Sequence, residues 1–193
     1  MTAYSVNMFI VATECGGRSQ VLPGPRRRPV RSVEPQNAVP GREELQAMAE
    51  GLAATALSWP GLTGVTDRNW ELLAASDTFE AWVIGWAPGG TIELHDHGDS
   101  GGAVVVAGGE LVETLVTERV DGSVTTATRR MATGTSWTMA SGHVHDIVND
   151  GSTPAVSVHV YAPRLTSMTH YRLDHGVLLT ERTDHYRLGE LLP

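Results

Sequence analysis

The stretch ELVETLVTERVDGSVTTATRRM, residues 110–131, decides the architecture. Two runs rich in Val and Thr flank Asp121-Gly122. β-Branched residues favour extended backbone. An Asp-Gly pair between two such runs is the chemistry of a tight hairpin turn, because glycine accepts the positive φ that the turn needs. A hairpin is antiparallel, and outward from it the texture repeats. TFEAWVIGW (78–86), TIELHDH (91–97), GAVVVAG (102–108), TSWTMA (135–140) and AVSVHVYA (155–162) are short runs separated by turn-forming residues. No helical segment stands between them. That argues against a parallel sheet with crossover helices and for an antiparallel sandwich or barrel.

On the N-terminal side the pattern differs. Residues 42–58, REELQAMAEGLAATALS, have acidic residues early and Leu45, Met48, Leu52 and Leu57 at helical spacing. This predicts an amphipathic helix that stops before Pro60. A second short helix is expected over 67–75. Residues 16–41 are rich in Gly, Pro and Arg without periodicity, the composition of a flexible arm. The expected division is therefore an arm over 1–41, a helical segment over 42–77 that packs on the barrel, and the main domain over 78–193.

Bulk properties narrow the function. A formal net charge of -8 argues against nucleic acid or an anionic membrane as partner. Cys15 is the one cysteine, so no internal disulfide forms. SVNMFIVA, residues 5–12, is too short to span a bilayer, and no apolar run follows Arg26, Arg27 and Arg28. A cytoplasmic monomer is expected.

The chemistry begins at HDHGDSGG, residues 95–102. Side chains two apart on a strand share a face. His95 and His97 can therefore point into one site while Asp96 points away. An HxH pair alone does not separate a metal site from two ordinary histidines. Farther on, GTSWTMASGHVHDIVN (134–149) brings His143 and His145. In SVHVYAP (157–163), one strand face carries Ser157, His159 and Tyr161, an order able to form a hydroxyl–imidazole–phenol hydrogen-bond chain.

The first and second of these stretches resemble the paired motifs of the cupin superfamily. Gly89 and Gly90 precede His95 and His97, and Gly108 and Gly109 follow them; the motif's Glu is missing, with Gly101 or Gly102 in its place. In the second motif Gly134, Gly142, His145 and Asn149 match, and Ala140 stands for the usual Pro. The resemblance implies an all-β cupin (jelly-roll) sandwich or barrel with an N-terminal helical segment. It also implies a metal held by three neutral imidazoles, His95, His97 and His145. Imidazole suits Fe, Zn, Cu and Ni alike. His143 is then left as a solvated loop residue, and His170, His175 and His185 as structural or exposed.

The Ser157-His159-Tyr161 set after the third ligand, with Arg68-Asn69 before the first, resembles the cysteine dioxygenases, and among them the bacterial type. The likeness covers roughly residues 42–175. It implies one Fe(2+) per chain, a small thiol and O2 as partners, and oxidation of L-cysteine to its sulfinic acid. Tyr161 would act in catalysis, with His159 and Ser157 orienting it. An arginine would bind the substrate carboxylate through its planar, always-charged fork; Arg68 is preferred over Arg164. Pro163 is expected to be cis. A cysteine that crosslinks the tyrosine in some members is Gly102 here, so Tyr161 should be unmodified, and a tyrosine two residues before the family's arginine is Thr66. The alternatives are a 3-mercaptopropionate dioxygenase and a cupin that binds a metal or small ligand without turnover.

Overall fold

The computed structural model describes residues 38–56, 66–187 and 190–191. Cys15, Arg26 to Arg28, Leu57, Pro60 and most of the expected arm lie outside the described residues. One helix, α1 (Arg42–Ala56), precedes β1 (Arg68–Ala75), β2 (Glu80–Trp86), β3 (Thr91–His95), β4 (Gly101–Gly108), β5 (Glu110–Glu118) and β6 (Val124–Ala132). Then come β7 (Ser136–Met139), β8 (Val144–Val148), β9 (Ala155–Ala162), β10 (Ser167–Asp174), β11 (Val177–Arg187) and the short β12 (Glu190–Leu191). They form two sheets, in the order β1-β2-β9-β4-β7 and β12-β11-β10-β3-β8-β5-β6. Every pairing is antiparallel. This is the all-β cupin sandwich with a helix that the motifs imply.

The Asp121-Gly122 hairpin forms as expected. β5 and β6 pair without a break from Glu110↔Ala132 to Glu118↔Val124. Gly122 has φ +79, and Asp121 Oδ1 accepts the Ser123 N–H at 3.0 Å.

Helix α1 starts as the sequence predicts. Glu44 accepts the Gly41 backbone N–H at 2.8 Å, which satisfies one of the free donors of the first turn. Leu45, Ala49 and Ala56 pack on the outer face of the first sheet, against Ala81 and Val83 of β2, Ala103 and Val105 of β4, and Val156, Val158 and Val160 of β9. The inner face of the same sheet carries Trp86, Val104, Val106 and Tyr161. These meet Leu111, Met131 and Ile147 of the second sheet. All eight residues of β9 are buried. Its alternation therefore separates two buried surfaces, with valines toward the helix and Ser157, His159 and Tyr161 between the sheets.

Residues 67–75 are not helical. ELLAA has good helix propensity, but the segment pairs with β2 from Arg68↔Trp86 to Ala75↔Glu80, with one bulge between Leu72 and Ala74. Pairing with the sheet overrides local preference, as tertiary context often does. The first sheet thus begins within the 42–77 segment. β8 and β10–β12 add to the strands read above. The outer strands β10 and β11 are polar because one of their faces meets solvent. They turn back through His175 and Gly176, both at positive φ.

Asp96, which points away from the cavity, fastens the segment that carries His97. Its carboxylate accepts the Gly98 N–H at 2.9 Å, the Thr169 N–H at 3.3 Å and the Tyr171 hydroxyl at 2.7 Å. Asp96→Ala leaves three buried or half-buried donors without this acceptor and is predicted to cost about 2–4 kcal/mol, against about 1–2 for Tyr171→Phe. Urea denaturation measures both; equal, negligible losses would show that the latch contributes nothing.

Candidate metal centre

Three imidazoles from two elements converge between the sheets. His95 ends β3 and faces His145 of β8 directly in the ladder. His97 follows two residues later, where the turn at Gly98 (φ +56) begins. All three are buried. The candidate ligand atoms lie within 4.8 Å of one another, with His95 Nε2 and His97 Nε2 3.2 Å apart.

The inward direction of His95 comes from a bulge. Ile92 pairs with Ile147, and His95 with His145, so β3 spends one residue more than β8 between the two pairs. A regular strand would send residues three apart to opposite faces. The extra residue lets Ile92 and His95 both line the cavity.

The outer nitrogens are occupied. His95 Nδ1 lies 2.8 Å from the Glu93 carbonyl, a bond it makes by donating. His145 Nδ1 lies 2.6 Å from Glu113 Oε1. With the protons held on Nδ1, both Nε2 atoms are lone-pair donors, and His145 Nε2 is buried with no partner among the described residues. Burial holds His95 and His97 well below the ordinary imidazole pKa, with the neighbouring imidazoles adding to the effect. Burial lowers His145 as well, opposed by Glu113. Three neutral, inward-facing imidazoles with an orphaned Nε2 fit a divalent transition metal.

Glu113 stands out of its sequence context as a fully buried carboxylate within the apolar run of β5. Burial alone would raise its pKa, but His143 close by and the hydrogen bonds from His145 and Arg129 pull it far below the carboxylate range. His143 is accordingly not a solvated loop residue. It is half-buried, 3.5 Å from Glu113 Oε1, with its ring 4.9 Å from that of His145. Glu113, His143 and His145 also lie close enough to share an ion. Arg129 already neutralises the other oxygen of Glu113, so this trio supports His145 rather than forming a second cation site.

A polar chain runs along the inner face of β9. The Trp86 indole donates to Ser157 Oγ at 2.9 Å. Ser157 Oγ lies 2.8 Å from His159 Nε2, and His159 Nδ1 lies 3.2 Å from the Tyr161 hydroxyl. An indole N–H can only donate. The arrangement that satisfies every group therefore runs one way: Trp86 to Ser157, Ser157 to His159 Nε2, His159 Nδ1–H to the Tyr161 oxygen. His159 is neutral, its pKa pushed down to about 3 by burial and then by His145 and Arg68 nearby. Tyr161 keeps its proton, since burial, reinforced by Glu80, raises its pKa. Its O–H is left to point onward, and the oxygen lies 3.3 Å from His97 Nε2. Gly102 sits against this ring: a Cβ there would come within 3.1 Å of Tyr161 Cδ1 and 3.0 Å of Met139 Cε.

These groups line a cavity of about 210 Å³ with mostly apolar walls, among them Trp82, Ile84, Ile92 and Met168. Arg68 lines it too. Its guanidinium lies over the rings of Trp70 and Trp86, at 5.2 and 5.6 Å, and makes no hydrogen bond or ion pair among the described residues. Arg164 is not in the wall, although its charge is felt by Glu80. The Ala162-Pro163 bond is cis, as expected. His170 is a buried wall residue, with Nε2 3.1 Å from Asp184 Oδ2. His175 and His185 are exposed, as expected. Asn149 has a framing role, donating to the Trp86 and Thr153 carbonyls. Sequence reasoning misses Trp86, Glu80 and Glu113 and does not bring His170 to the cavity. Only Glu113 and Glu80 leave a local trace, as acids in apolar strands.

No curated protein sequence matches the chain. Similar solved structures include TT1209 from Thermus thermophilus, at 22% identity over 51% of this chain and 85% of that one, with a TM-score of 0.43. KdgF from Halomonas sp. is 16% identical over 52% and 83%, with a TM-score of 0.44. Oxalate oxidase in complex with the substrate analogue glycolate is 17% identical over 70% and 64%, with a TM-score of 0.47. A family model described as cysteine dioxygenase type I matches residues 35–173, which take in all three imidazoles, the polar chain on β9 and both candidate arginines. The chain belongs to the cysteine dioxygenase type I family.

Proposed function

We propose that this protein is an iron-dependent thiol dioxygenase that converts L-cysteine, or a closely related thiol acid, and O2 to the sulfinic acid. The observation that supports this most is the oriented chain ending at the Tyr161 hydroxyl, 3.3 Å from His97 Nε2. A module that only stores metal has no need of a directed proton donor there. His95, His97 and His145 hold the ion through Nε2, one per chain. Fe(II), when bound, supplies Lewis-acid and redox chemistry for thiolate and O2. Tyr161 donates its hydrogen bond to the reacting sulfur or oxygen, and Ser157 and His159 keep it oriented. Arg68 takes the substrate carboxylate: it has no ion-pair partner among the described residues and lines the cavity, whereas Arg164 stands outside it. 3-Mercaptopropionate, which keeps the thiol and the carboxylate that Arg68 would bind, is the second candidate substrate. The enzyme works as a cytoplasmic monomer; among the described residues no helix is long and apolar enough to cross a membrane.

Oxygen uptake by iron-loaded protein, with mass analysis of the product, tests the reading. A protein that carries one iron yet consumes no O2 with any small thiol is not a dioxygenase. His145→Ala is predicted to lose most bound metal, whereas His143→Ala keeps it, as read by elemental analysis. Glu113→Gln should weaken metal binding by roughly tenfold to a hundredfold, because Nδ1 loses its charged partner. Unchanged affinity would make Glu113 merely a partner of Arg129.

Tyr161→Phe should retain metal and lower turnover by about 10- to 100-fold, the effect of one oriented hydrogen bond lost in the transition state. Intact-mass analysis should find the tyrosine unmodified. Arg68→Ala should raise the Michaelis constant for thiol acids by the equivalent of about 1.5–3 kcal/mol. Cysteamine, which has no carboxylate, should change less. The same selective effect from Arg164→Ala instead would reassign the carboxylate to Arg164.

A further inference from the structure

A charge of opposite sign to Arg68 also borders the cavity. Glu80 opens β2 directly across from Tyr161. Alternate side chains of β2 turn inward, so Glu80 shares the wall with Trp82, Ile84 and Trp86. It is fully buried. Its Oε1 accepts the Trp82 indole N–H at 3.1 Å, but Oε2 has no partner among the described residues. Leaving a buried carboxylate oxygen bare is costly, and an apolar side chain would serve the wall better. Tyr161 does not satisfy it, since its hydroxyl lies with His159 and His97. Arg164 is the neighbouring cation, yet it forms no ion pair with Glu80.

A guanidinium and a carboxyl group that have no ion-pair partner among the described residues, in a single small cavity, are complementary to a dipolar ion. We infer that Glu80 is the residue by which this pocket selects thiols bearing an ammonium group over thiol acids that lack one. The inference rests on the thiol-dioxygenase reading and adds the substrate class. In a poorly screened enclosure the field of a carboxylate reaches across several ångströms. It attracts an ammonium with or without direct contact and repels a second carboxylate. Burial raises the Glu80 pKa, while the Trp82 indole, the Leu165 backbone N–H and Arg164 act to keep the anion.

The test compares L-cysteine, cysteamine and 3-mercaptopropionate on the iron-loaded protein and its Glu80→Gln variant, which removes the charge but keeps an acceptor for Trp82. The readouts are kcat/KM for oxygen uptake and anaerobic calorimetry of thiol binding. The cysteamine to 3-mercaptopropionate preference should fall by about tenfold or more in both, the loss expected for one charged partner. Trp82→Phe, which cuts the indole bond and leaves the charge, should keep the preference. Glu80→Asp should keep its direction and serves if the glutamine variant does not fold. Equal losses for all three thiols in Glu80→Gln, or an unchanged preference, would overturn the inference. Absence of oxygen uptake by every protein would instead sink the dioxygenase reading, and the calorimetric preference would still decide the role of Glu80.

Discussion

Strand β9 is buried on both faces, and the structure around the site follows from that constraint. A strand enclosed on both sides has no water to satisfy its polar side chains. Ser157, His159 and Tyr161 must therefore satisfy one another, and the chain they form needs a donor at one end. Trp86 of the neighbouring strand is that donor. Because an indole cannot accept, it sets the direction of every bond after it, and the last free hydrogen is delivered beside the imidazole cluster. Helix α1 completes the arrangement. Without its cover over Val156, Val158 and Val160, the outer face of β9 would be wet.

The same logic of enclosure governs the imidazoles. In water each would be partly protonated near neutral pH. Between the sheets, burial disfavours the charged form, and Glu93 and Glu113 hold the remaining protons on the outer nitrogens. Neutral ligands leave a bound divalent ion with its full charge, which suits an incoming thiolate. Glu113 is itself kept ionised by Arg129 and His143, so the support for one ligand extends through three strands and reaches the surface at Arg129.

Much of this was legible in the sequence where the signal is local. The Asp121-Gly122 turn, the histidines at 95, 97 and 145 and the two-residue spacing of Ser157, His159 and Tyr161 each express a short-range rule, and the fold brings each set together. Segment 67–75 misled because its propensity is helical and its partner strand is known only from the fold. The solvated role expected for His143 failed for a similar reason: Glu113 is 30 residues away and meets it only when β5 pairs with β8. His170 likewise reaches the cavity only through the β10–β3 pairing. Arg68 and Arg164 are indistinguishable as residue types. Their difference lies in the cavity wall, which includes Arg68 and leaves Arg164 out.

The bulge in β3 makes the site depend on chain length rather than on residue identity. Between Ile92 and His95 stand Glu93 and Leu94, neither of which contributes a side chain to the imidazole cluster. Either can vary in kind, since what the cluster uses from them is a backbone carbonyl and one residue of extra contour. Losing one of the two is different. The ladder would become regular and Ile92 and His95, then two apart, would still share a face, but the bulged backbone that brings the Glu93 carbonyl to His95 Nδ1 would be gone. In descendants of this chain, that short segment should therefore tolerate many substitutions and almost no change in residue number.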